Sequence, residues 1–99
     1  MENFQAFTRN SQGVLVINIP LVYLVSTEDG HADREKTVER AFLDGFIGKQ
    51  DYFRYAAYTK QIDKAQQIWH TMKRKDKIGI LEDDSREVRD VALKIAFLY

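Results

Sequence analysis

The sequence predicts an all-α protein, a compact bundle of four to five helices forming a single domain. Three observations carry that expectation. Apolar residues recur at three- and four-residue spacing through most of the chain beyond residue 37. Asp33 and Asp84 each stand at the head of such a pattern, where a helix opens. The 99 residues suffice for one core and not for a second domain.

Residues 14–25, Val14-Leu15-Val16-Ile17-Asn18-Ile19-Pro20-Leu21-Val22-Tyr23-Leu24-Val25, are the longest apolar stretch. Their β-branched content favours two short strands. No two-residue turn dipeptide interrupts the run, however, and Pro20 suits the first turn of a helix. A helix from Pro20 through Val25 is expected, with the run as buried spine. Twelve residues holding Asn18 and Pro20 fall short of the roughly 20 that span a bilayer. The Met1-Glu2 start is not basic and Leu24-Val25-Ser26-Thr27-Glu28 has no small-residue cleavage site, so a cytoplasmic protein is expected.

Asp33 predicts the N-cap of a helix carrying Val38, Ala41, Phe42, Gly45 and Phe46, with Gly45 weakening its last turns and Gly48 ending it. From about Gln50 to Lys73, the stripe Tyr55, Tyr58, Ile62, Ala65, Trp69 and Met72 predicts one long helix. A basic run, Lys73-Arg74-Lys75-Asp76-Lys77, and an Ile78-Gly79-Ile80-Leu81 linker lead to Glu82-Asp83-Asp84-Ser85. Asp84 with Glu87 resembles a capping box, opening a helix that aligns Val88, Val91, Ala92, Ile95 and Leu98. Only Tyr99 follows, without glycine, asparagine or proline. That bare apolar end is expected to pack on another chain or to continue into a larger domain.

Fifteen basic side chains balance fifteen acidic ones, which argues against a general nucleic-acid or membrane-surface binder. Zero cysteine excludes a disulfide scaffold, a thiolate zinc site and a cysteine nucleophile.

The densest polar feature is Thr27-Glu28-Asp29-Gly30-His31-Ala32-Asp33-Arg34-Glu35, with four carboxylates in nine residues and a glycine free to turn. Calcium needs six to eight oxygens, so such density is what a cation site requires. The EF-hand register fails, because Gly30 at loop position six puts Val25 first and Lys36 twelfth. Spacing alone assigns Asp33 to a helix cap and Glu35 to the helix dipole.

The segment from Tyr23 through Lys36 resembles the first signature of TerB-like (tellurite-resistance B) domains, in which an apolar helix runs into Ala-Asp-Gly before an acidic helix start. Asp29, Gly30, Asp33 and Glu35 fall on matching positions, and the helix from Ser85 to Tyr99 is similar to the one leading into a second Asp-Gly. The resemblance implies an all-helical domain of two pseudo-repeated halves, found in stress-response and membrane-associated assemblies. It also implies a divalent cation, Ca²⁺ or Mg²⁺, held through Asp29, Asp33 and Glu35. Glu28 stands in place of the family's alanine, Lys36 in place of a second glutamate, and Tyr99 falls where the second Asp-Gly would begin. Further ligands would come from Glu82, Asp83, Asp84, Glu87 or a second subunit.

No catalytic residues are expected. His31 and His70 lie 39 residues apart in no metal-binding spacing, Ser11, Ser26 and Ser85 lack a nucleophile context, and no glycine-rich phosphate loop is present. The chain reads as a non-enzyme.

Tyr52 and Phe53 lie off the Tyr55–Tyr58–Trp69 stripe, so at least one ring is expected at the surface. With Phe97, Leu98 and Tyr99 they predict an interaction surface for a protein partner or a homodimer. The alternative is a regulator that contacts phosphate or nucleic acid through Lys73, Arg74, Lys75 and Lys77. Against it, the same cations at a helix C-terminus complement its dipole, and Glu82-Asp83-Asp84 blunts their field.

Overall fold

The structure is a computed structural model and describes residues 6–98, the side chain of Leu98 excepted. Among them, 58% are helical and 9% are in strands, so the class is all-α, with five α-helices. Contacts divide the chain into two units, residues 1–48 and 49–99.

The first unit opens with a hairpin absent from the helical expectation. Strand β1 (Phe7–Arg9) pairs antiparallel with β2 (Leu15–Ile17), Thr8 facing Val16. The turn that makes it lies ahead of the apolar run, not inside it. Asn10 Oδ1 accepts from the N–H groups of Gln12 (2.9 Å) and Val14 (3.0 Å). Gly13, at φ +78°, donates back to Asn10 O. Pro20 then starts only a single 3₁₀ turn (Leu21–Tyr23), because Leu24 is already extended. The expected helix over 20–25 is corrected accordingly.

Helix α1 (Arg34–Leu43) is capped as predicted, with Asp33 Oδ1 accepting from Lys36 N–H at 3.1 Å and Glu35 in the first turn. Gly45, not Gly48, ends it. At φ +79° Gly45 donates to Phe42 O, and Phe46 N–H donates to Ala41 O, the paired bonds of a Schellman cap. Tyr23 packs on Phe46 with tilted rings, their centroids 5.1 Å apart.

The second unit holds α2 (Lys49–Tyr58), α3 (Ile62–Thr71), α4 (Arg74–Leu81) and α5 (Arg86–Leu98). The predicted long helix over 50–73 is thus two helices on one apolar stripe. The break repeats the α1 cap with lysine in place of glycine. Lys60, at φ +61°, donates to Ala57 O at 3.2 Å, and Gln61 N–H donates to Ala56 O at 2.8 Å. Lys73 is extended (ψ 158°) and heads α4, which absorbs both the basic run and the Ile78–Leu81 segment read as a linker.

Helix α5 begins one residue later than the Asp84 box implied. Ser85 Oγ accepts from Val88 N–H at 3.4 Å, while Asp83 Oδ1 accepts from Ser85 N–H at 2.9 Å. Helices α2 and α5 each pack against the other three members of the unit. Their core includes Phe53, Ala65, Trp69, Ile80, Val88 and Ile95, with the Phe53 and Trp69 rings 5.6 Å apart.

Candidate functional site

The acidic segment folds back on itself. Ser26 and Ala32 form an antiparallel bridge, Thr27 N–H donates to His31 O (2.7 Å), and Gly30 supplies the positive φ (+82°) at the tip. Asp29 and His31 are exposed there, and Asp33 uses one carboxylate oxygen in capping α1. Among the described residues, no three His, Asp or Glu side chains come close enough together to hold a metal ion. Of the three residues on which the resemblance places a cation, Asp33 is engaged in the helix cap, while Asp29 and Glu35 are exposed.

What the turn does build is one wall of a cavity. Thr37 Oγ1 donates to Asp33 O (2.7 Å) and accepts from Val25 N–H (3.0 Å), tying the start of α1 to the strand-like segment before the turn. Between α1 and the hairpin lies a cavity of about 280 Å³, lined by Leu15, Ile17, Leu21, Leu24, Arg34 and Thr37 among others. Around it the apolar run stands open. Leu21 is 82% exposed and Val22 70%, with Val14 and Leu24 also exposed. The expected buried spine is corrected: β-pairing and the 3₁₀ turn place these side chains where no other described element covers them.

Tyr52 and Phe53 are 9% and 0% exposed, so neither ring offers the surface expected of it. For Phe53 the reason is that α2 has three helices against it and buries more than one stripe. Phe97 is exposed (82%), as expected; the Leu98 side chain and Tyr99 lie outside the described residues.

The basic segment sits at the start of α4 rather than at the C-terminus of a long helix. Lys73, Arg74 and Lys75 are exposed beside N–H groups that already carry partial positive charge, so the dipole does not explain them. Lys77 is drawn away, its Nζ 5.5 Å from the Trp69 ring centroid.

The acidic run beyond α4 is partly neutralised. Asp83 Oδ2 accepts from Arg54 Nε at 2.5 Å and Asp83 O accepts from Arg89, while Asp51 Oδ1 accepts from Arg54 Nη1 at 2.8 Å. Burial alone disfavours a charged guanidinium at Arg54. Hydrogen bonding and charge from Asp83, then Asp51, outweigh it and raise the group above its ordinary value. Lys60 pairs with Glu87 at 3.0 Å. Arg54 and Lys60 are thus engaged within the unit and do not widen the basic segment into a larger face.

Compared with protein-family models, curated proteins and solved structures, the chain matches none. The TerB-like resemblance rests on the sequence alone, on the 23–36 segment and the 85–99 helix.

Proposed function

We propose that the chain is a small protein-interaction module that docks a partner through the apolar surface of residues 14–24. One observation carries this reading: large aliphatic side chains stand open around a cavity that a side chain of a partner would fill. Water-exposed apolar surface of this kind is costly to leave bare and is characteristic of binding sites. Leu93 and Phe97, four residues apart on α5, are exposed as well.

The test is a selection of random displayed peptides against the full chain. Binders are expected to lose affinity for Leu21→Asp/Leu24→Asp and to keep it for Phe97→Asp. A selection that yields no peptide sensitive to the first variant overturns the reading. Phosphate contact at Lys73, Arg74 and Lys75 has less behind it, since Lys77 is turned onto Trp69 and Arg54 and Lys60 are paired elsewhere.

A further inference from the structure

We infer that the partner is an extended peptide that adds a strand to the outer edge of β2, presenting an apolar and an acidic side chain two residues apart. The inference rests on the docking reading above and names the occupant of that surface.

The hairpin register decides which main-chain groups are available. Asn18 N–H donates to Ala6 O at 2.8 Å and Asn10 N–H to Val14 O at 3.1 Å, with Thr8 facing Val16 between them. In an antiparallel ladder bonded pairs alternate, so the peptide groups of Val16 turn toward β1 and those of Leu15 and Ile17 turn away. Among the described residues the sheet has two strands, and none bonds these outer groups. Leu15 and Ile17 are also the β2 residues that line the cavity. Edge and cavity therefore form one surface. An added strand would meet a donor and an acceptor on each of the two residues and set alternate side chains over the cavity.

Charge selects among such strands. Arg34 lines the same cavity from the first residue of α1, and no described residue pairs with its guanidinium. Thr37 is the other polar side chain lining the cavity, and its hydroxyl is already bonded twice. A guanidinium at the rim of an apolar cavity fits a carboxylate, which it can bind bidentately. Residues two apart on a strand share a face, so one peptide can place an aliphatic or aromatic side chain in the cavity and an Asp or Glu at Arg34. The β2 region of a second copy does not supply this, since residues 13–25 contain no carboxylate.

Peptides selected on the full chain are resynthesised with acetylated and amidated ends, so that side chains are their sole carboxylates, and titrated by fluorescence polarisation. The expected binders carry an apolar and an acidic residue two positions apart. They weaken about tenfold against Arg34→Gln and less against Arg34→Lys. N-methylation abolishes binding at alternate positions and is tolerated between them, because alternate N–H groups face β2.

Binders that depend on Leu21 and Leu24 but tolerate N-methylation throughout and ignore Arg34→Gln would leave the docking reading standing and remove strand addition. The absence of any Leu21- and Leu24-dependent binder would remove both. A concentration-dependent dimer in sedimentation that Ile17→Pro converts to monomer would give the edge to a second copy and overturn the peptide occupant.

Discussion

Lys60 does the work of a glycine. At φ +61° its Cβ crowds the neighbouring carbonyl, a strain that L-residues other than Asn and Asp rarely accept. Its ion pair with Glu87 offers little return, because the Lys60 side chain is largely in solvent. Lys60→Gly should therefore raise stability by about 0.5–1 kcal/mol in urea unfolding. A loss of stability would show that the Glu87 contact outweighs the backbone strain. The same position explains why the division between α2 and α3 was not legible. Nothing in Thr59-Lys60-Gln61 resembles a stop signal, and the apolar stripe runs through it without a change of phase.

At the level of elements, the Asp33 cap is legible from its side chain, whereas a helix start made by backbone alone is not. The periodic pattern of the last helix is equally plain, while Gly45, which the pattern marks only as weakening the last turns of α1, makes the stop itself. The start of α4 was hidden, since Lys73 provides no side-chain cap and charge there runs against the dipole. Inside α4, Gly79 has a positional reason. A Cβ there would lie 2.6 Å from Gln50 Nε2, the atom that donates to Asp76 O (3.3 Å) and Oδ1 (3.4 Å). Gly79→Ala should gain less than about 0.5 kcal/mol in the native chain but about 1 kcal/mol in a Gln50→Ala background, where only helix propensity remains. Equal gains in the two backgrounds would show that the amide moves aside freely.

Across the whole molecule, charge is balanced and much of it is locally engaged, through Arg54 with Asp51 and Asp83, Lys60 with Glu87, and Lys77 on Trp69. Among the described residues, no helix is long and apolar enough to cross a membrane. The docking proposed for residues 14–24 is mainly apolar, so peptide affinity should change by less than about threefold between 50 and 500 mM NaCl. Contact of Lys73, Arg74 and Lys75 with phosphates would fall on the order of a hundredfold over that range, and such a slope would move the site to α4. The candidate surface is the longest apolar run of the sequence, and its composition points to a buried spine that the fold leaves open. Composition reports how greasy a segment is, whereas exposure depends on which elements come to cover it. The turn that diverts this one, Asn10 through Gly13, lies outside the run itself.

An open strand border is also a hazard, since identical chains can stack along it into fibrils. Here β2 runs only from Leu15 to Ile17, and Pro20, lacking an N–H, follows shortly after. So few rungs would serve the proposed guest and give amyloid growth almost nothing to copy. Brevity lets this border, which no described residue pairs with, go without a further guard.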